Sequence, residues 1–326
     1  MSDYKTLKGQ TIKILGADPS PAYEGQVWFD TADNVLNVHT LGAGTWADGE
    51  NINTARGAIM NGAIGLQTAS FIVGGDVGGP PRAAVGNTEE YDGTDWSESG
   101  DVNQVIWIGG AFGTQTAGVS VGGETAIRAT YRTAGSEEYN GTGWTEGEDM
   151  GTARYTPVGA GTLTAGMAFG GHSSGGAGGL TEEYDGTDWT ESGDLNTNRV
   201  YQAGCGTVTA GLCMGGESGL TVSEEYNGTG WTEGNNLNTG RKQMGQAGTQ
   251  TLAICFGSNA PFTAVTEEYN GTSWATGNSM GAARYGMGSG GTGLAAVGAG
   301  GNLEPAYAAT TEEYTVATAT ETVTVS

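Results

Sequence analysis

The sequence predicts an all-β chain of repeated four-stranded units, and three observations point there. Glycine reaches 62 of 326 residues while proline numbers only 7. Among them are spread 13 Tyr and 8 Trp, a pattern of short strands joined by tight turns. A Glu-Glu-Tyr motif recurs six times, with its tyrosines at Tyr91, Tyr139, Tyr184, Tyr226, Tyr269 and Tyr314. The steps between them are 48, 45, 42, 43 and 45 residues, the length of a propeller blade and too short for a βαβ unit plus a further strand. There is no Gly-x-y period of the collagen kind, and no unit carries a convincing helical apolar stripe.

The first element is residues 1–45, read as an attachment or closure segment with a β-hairpin; residues 46–326 form the repeat domain. The segment MSDYKTLKGQ has no signal-peptide core, so the expectation is synthesis in a cytoplasm with no encoded secretory route. No apolar run approaches the roughly 20 residues of a membrane span, and no membrane insertion is expected.

Each repeat is then justified by its motifs. In five copies a tryptophan follows the tyrosine by five residues: Trp96, Trp144, Trp189, Trp231 and Trp274, in segments such as EEYDGTDW and EEYNGTGW. Asp-Gly or Asn-Gly between two β-prone segments signals a hairpin, because both residues accept positive φ. Ten residues beyond a tryptophan comes an arginine: Arg56, Arg154, Arg199, Arg241 and Arg284, counted from Trp46, Trp144, Trp189, Trp231 and Trp274. After Trp96 that position is Ile106. Two short apolar or small-residue segments follow, ending in a glycine pair such as Gly122–Gly123 or Gly215–Gly216.

An arginine after the tryptophan strand, two inner strands ending in Gly-Gly, then Tyr, then Trp, resembles the kelch repeat over roughly residues 46–314. The loops are shorter and richer in Gly and Thr than that family's usual form. The EEYDGTDW form and the segment PAYEGQVWFDTADNVLNVHT also resemble parts of tailed-phage virion proteins, particularly those of marine phages. The first resemblance implies a kelch-like β-propeller; the second implies a place in a virion.

Six copies imply six four-stranded blades. The last copy, at Tyr314, has no tryptophan, while Trp46 has no Glu-Glu-Tyr before it. A strand around Trp46 would complete the blade begun at Arg284 and remove exposed sheet edges. The alternative is seven blades, with Thr11–Leu15, Gln26–Asp30, Val35–Leu41 and Gly44–Ala47 as an atypical first blade.

The candidate chemistry is mostly structural. Neighbouring residues on a strand face opposite ways, so the two carboxylates of a Glu-Glu pair do not meet one substrate. Their recurrence, and that of the arginines, suggests blade-building ion pairs. Asp92 with Asp95, and Asp185 with Asp188, carry oxygens that suit calcium, but turn chemistry is the simpler reading. Galactose-oxidase-like enzymes put two tyrosines and two histidines around copper on a kelch-like propeller. Here only His39 and His172 are available, and nothing brings them together. Cys205, Cys213 and Cys255 form no zinc or disulfide pattern; Cys213 and Cys255 fall in a column of small inner-strand residues. No cofactor, metal or catalytic residue is expected.

Formal net charge is −24, from 36 acidic and 12 basic residues. A nucleic-acid partner needs a basic face that this composition lacks, and an anionic membrane surface is disfavoured likewise. The loops after the glycine pairs are what varies, and variable loops on a fixed scaffold carry binding. Arg128, Tyr131, Arg132, His172, Phe262 and Tyr307 are the candidate contact residues, on a face away from the N-terminal attachment. Arg128 and Arg132 favour an acidic partner, such as a surface polysaccharide or another subunit. The expected protein is a virion component made in the host cytoplasm: a tail-associated adhesin or fibre component in a symmetric assembly, bound to other virion proteins and to a host receptor or polysaccharide. The alternatives are a capsid-surface decoration protein and a glycan-cleaving propeller enzyme.

Overall fold

The computed structural model describes residues 13–15, 26–59, 62, 64–78, 83–125 and 132–323. Among them every regular element is a strand. The chain divides into two compact units, one of residues 1–44 and 316–326, the other of residues 45–315.

In the smaller unit, Lys13–Leu15 pairs in parallel with Val27–Asp30, which pairs antiparallel with the start of Val35–Gly49. Trp28 is fully buried there. Within the same unit the C-terminal strand bonds back, Thr40 Oγ1 donating to Ala319 O at 3.3 Å and Val323 N to Leu36 O at 2.7 Å.

The larger unit is a succession of antiparallel sheets, each one repeat long, consistent with a β-propeller. The Tyr226 sheet shows the plan: Ala203–Thr207, Ala210–Met214, Ser223–Tyr226 and Trp231–Glu233, hydrogen-bonded in chain order. The Tyr139, Tyr184 and Tyr269 sheets repeat it. The Tyr91 sheet has three strands among the described residues, Ser70–Val73, Thr88–Tyr91 and Trp96–Ser99. In the Tyr314 sheet, Gly288–Gly291 and Ala295–Ala299 are followed by the start of Thr311–Thr322, with the end of Val35–Gly49 alongside. Thr45 Oγ1 donates to Thr315 O at 3.4 Å, and the Trp46 ring lies 5.2 Å from that of Tyr314. Val35–Gly49 is a single strand, where the sequence reading of the alternative drew two.

Local sequence explains the turns. Gly206, one residue before the end of the first strand of its sheet, has φ +108°, and a Cβ there would sit 2.2 Å from Ala210 O, so glycine is required beside the turn. The Glu-Glu-Tyr segments form the expected hairpins, though only the glycine of each Asp-Gly or Asn-Gly pair takes positive φ. Tyr91 pairs directly with Trp96, leaving four loop residues, of which only Gly93 has positive φ. The reason is a side-chain cap. Asp92 Oδ1 accepts from Thr94 N and Asp95 N, both at 2.8 Å, an Asx turn that holds the aspartate in ordinary backbone geometry. Asn140, Asp185, Asn227 and Asn270 cap their turns likewise.

Buried apolar layers lie between neighbouring sheets. Ile64, Phe71 and Val73 pack with Tyr139 and Trp144, and Cys205, Leu212 and Met214 with Tyr269 and Trp274. Ile72, Tyr91 and Trp96 pack with Val297 and Ala299. Burial pushes the thiols of Cys205, Cys213 and Cys255 up to about 12, so they are packing groups at neutral pH.

Candidate functional site

The repeated charged residues are consumed within the sheets. The first glutamate of five pairs receives the column arginine: Arg56–Glu89, Arg154–Glu182 (3.0 Å), Arg199–Glu224, Arg241–Glu267 (2.5 Å) and Arg284–Glu312. These arginine side chains are at most 1% exposed. Arg199 also donates to Gly215 O at 3.1 Å and Val222 O at 2.9 Å, so the guanidinium ties strand ends together. Where Ile106 replaces the arginine, Glu137 keeps the bonds from Asn103 N at 2.8 Å and Gln104 N at 2.7 Å.

The second glutamate points the other way, as strand alternation requires. Each accepts the hydroxyl of a tyrosine from a neighbouring sheet: Tyr139 to Glu90 at 2.5 Å, Tyr226 to Glu183, Tyr269 to Glu225 and Tyr314 to Glu268, all at 2.5 Å, with Tyr184 to Glu138 as well. Tyr91 donates to Glu313 at 2.7 Å. Burial first, and the carboxylate second, push Tyr139 and Tyr226 up to about 12. A parallel series runs from tryptophan to threonine: Trp144 Nε1 to Thr88 Oγ1 at 2.8 Å, Trp231 to Thr181 at 2.9 Å, Trp96 to Thr311 at 2.9 Å and Trp46 to Thr266 at 3.0 Å.

The two ends of the inner strands differ. At one end Gly113, Gly161, Gly206, Gly248 and Gly291, with Leu66, Gln115 and Cys205 among the other lining residues, surround a cavity of about 310 Å³. At the other end, two residues beyond the column position, the backbone is left-handed in every repeat: Ala58, Ile108, Thr156, Tyr201, Gln243 and Gly286, with φ between +50° and +61°. Such a conformation is costly for β-branched Ile108 and Thr156, and costs of this kind gather at binding sites. The segments bond across sheets there, Gln243 N to Tyr201 O and Gly286 N to Gln243 O, both at 2.9 Å.

Around this end the chain places side chains that serve no repeated structural role. A hollow of about 300 Å³ is lined by Trp107, Tyr201, Tyr285 and Tyr307 together with Lys242, Glu217, Gln243, Asn259 and Asn302. Next to it, Tyr155 stacks on His172, with centroids 4.9 Å apart and planes 9° apart, and Arg132 lies 5.2 Å over the Tyr155 ring. The Tyr155 and Tyr201 rings are 6.4 Å apart. Phe262 meets Tyr285 edge-on at 6.3 Å, and Tyr307 donates to Asp76 Oδ2 at 2.8 Å. Arg132, His172, Phe262 and Tyr307, expected from their loops, therefore belong to one surface. Arg128 and Tyr131 lie outside the described residues.

Trp107, Tyr155, Tyr201, Lys242 and Tyr285 were missed by sequence reading. The signal was there: they sit one or two residues beyond the arginine column, where the repeat is regular in position and irregular in residue type. Residues 45–315 contain nine Lys and Arg, five of them the buried column. The others are Arg82, Arg128, Arg132 and Lys242, in the loops after the glycine pairs or next to the column. Among the described residues no cluster of His, Cys, Asp and Glu is arranged to hold a metal. No family model matches the sequence, and no curated protein matches it.

Proposed function

We propose that this chain is a structural protein of a tailed-phage virion, a tail-associated adhesin or fibre component with a kelch-like propeller of six closed blades. The division of labour among its residues carries the reading. The repeated Glu, Arg, Tyr, Trp and Thr are engaged in holding sheets together. The residues that vary from repeat to repeat form one aromatic, amide and cationic surface. A scaffold spent on rigidity, with variation kept to one end, is the design of a binding module. In this reading the surface contacts the host or neighbouring virion subunits, and residues 1–45 attach the protein.

Closure is supported by the seam bonds. The tyrosine-to-glutamate series steps from sheet to sheet and returns from Tyr91 to Glu313. Trp46, beside Tyr314, supplies the missing tryptophan and donates to Thr266 as its counterparts do to theirs. The resemblance to the kelch repeat, and to virion proteins, adds the family and the setting.

The test is a combined Arg128, Tyr131 and Arg132 to alanine variant, scored for particle assembly and host adsorption, with immunogold labelling of the virion. Intact particles that fail to adsorb, labelled on the tail, are the expected result. Label on the head would make this a decoration protein. Normal adsorption by the variant would remove these loops from the contact surface.

A further inference from the structure

We propose that the hollow between Trp107 and Tyr307 is a site for a single neutral sugar ring carrying neighbouring hydroxyls. The inference rests on reading this end of the propeller unit as a binding surface, and it names the ligand class. Three properties of the hollow select that class.

The first is shape and lining. At about 300 Å³ the hollow is at the small end of ligand sites, about 300–1,000 Å³. Four aromatic rings, Trp107, Tyr201, Tyr285 and Tyr307, meet there. Aromatic faces bind the C–H side of a saturated ring through contact area and their negative quadrupole, with little entropy lost on the protein side.

The second is the arrangement of polar groups. Asn259 Nδ2 donates to Gln243 Oε1 at 3.0 Å, so the couple presents Gln243 Nε2 as a donor beside Asn259 Oδ1 as an acceptor. A hydroxyl both donates and accepts, and a pair of vicinal hydroxyls matches such a couple. A second amide, Asn302, is held by the Tyr285 hydroxyl at 2.9 Å. Tyr201 and Gln243 both sit at left-handed backbone positions, φ +59° and +55°. The backbone is thus held in a costly shape where the polar groups must be aimed.

The third is charge. Lys242 Nζ is 3.9 Å from a Glu217 carboxylate oxygen and lies 5.8 Å over the Tyr201 ring. The hollow therefore offers one positive and one negative group side by side. An acidic sugar would gain Lys242 and face Glu217; a neutral ring bridges both with its hydroxyls. Arg132 stands outside the lining of the hollow, over the Tyr155 ring.

The experiment uses the full chain and four probes: methyl α-glucopyranoside, methyl α-galactopyranoside, methyl α-mannopyranoside and glucuronate. Binding is read by tryptophan fluorescence and by saturation-transfer NMR to the sugar. At least one neutral glycoside should give a saturable signal in both, with glucuronate roughly tenfold weaker, a difference of about 1.4 kcal/mol. Trp107→Phe should remove the fluorescence change while NMR still reports binding. Tyr201→Ala should weaken binding without lowering the melting temperature, and Glu217→Gln should close the gap between glucuronate and the neutral probes. Absence of saturable NMR transfer from all three neutral glycosides overturns the site, as does tighter binding of glucuronate by the unaltered protein. Glycoside binding with immunogold label on the head would keep this site and reject the tail adhesin. Lost adsorption with no glycoside binding would do the reverse.

Discussion

Glu224 and Glu137 occupy the same place in two repeats, yet they are neutralised in different ways. Glu224 receives Asn196 N at 2.7 Å, Asn196 Nδ2 at 2.9 Å, Thr197 N at 3.1 Å and the Arg199 guanidinium. Glu137 receives the corresponding groups of Asn103 and Gln104 and, among the described residues, no arginine. The amide cradle is therefore the common device, and it can hold a buried carboxylate by hydrogen bonds alone. What the arginine adds is a link from that carboxylate to the carbonyls of Gly215 and Val222. In the other repeat Ile106 sits in the apolar cluster with Val102, Phe71 and Trp144. One repeat is braced by a cation, the other by oil.

Alkali is the perturbation that should not distinguish the two, and it should have the largest effect. Tyr139 and Tyr226 rise from 10.0 to about 12, and Tyr91, Tyr184, Tyr269 and Tyr314 rise as well. A tyrosine whose folded pKa exceeds its unfolded one keeps its proton longer when folded, so stability falls with pH across that interval. Their contribution is intact below pH 10 and is lost as pH climbs toward 12. Circular dichroism should show cooperative unfolding in that window, with all seams failing together. Unchanged spectra through pH 12 would contradict the seam bonding.

Next in size is Arg199→Ala. It leaves Glu224 buried without its cation, a loss of about 3–5 kcal/mol, read as a lower denaturant midpoint. An unchanged midpoint would mean that the amide cradle suffices there too. The glutamates themselves sharpen the contrast. Glu224→Gln strands a buried guanidinium and should cost a similar amount. Glu137→Gln strands no cation and should cost about 1–3 kcal/mol, the scale of a disturbed buried hydrogen bond. Equal losses would erase the difference between the repeats.

The smallest effect concerns the tryptophan seams. Thr88, Thr181, Thr266 and Thr311 each accept from a tryptophan, but the equivalent residues Ser136 and Ser223 send their hydroxyls to Glu148 O and Asn235 O, both at 2.6 Å. Trp189 Nε1 and Trp274 Nε1 are buried with no hydrogen-bond partner among the described residues. Threonine's stiffer χ1 would hold the hydroxyl toward the indole. Ser136→Thr and Ser223→Thr should each stabilise by about 0.5–1.5 kcal/mol, measured by thermal melting. A loss of stability would show that the bond to Glu148 O matters more.

Much of this architecture was legible in the residues. The six Glu-Glu-Tyr motifs mark strands because alternation puts one carboxylate on each face, and the arginine column marked its own partners by recurring at the same phase. The hairpins themselves were legible in Asp-Gly and Asn-Gly, but the capping bonds of Asp92 to Thr94 and Asp95 were not. The candidate site was read in its loops, and its other signal, variable residue types just beyond the arginine column, was passed over. Trp107, Tyr201 and Lys242 lie in a stretch that reads as the start of an inner strand, and nothing local announces that the backbone turns left-handed there.

Composition and periodicity alone determined that this chain is all-β, repeated and acidic, because strand alternation and glycine turns are local consequences of covalent geometry. Only the tertiary structure decided which glutamate faces an arginine and which a tyrosine of the next sheet, and that four aromatic rings from three repeats share one hollow. Those outcomes depend on contacts between residues as far apart as Tyr91 and Glu313. Such distances are set by how the sheets pack, and no local pattern encodes them.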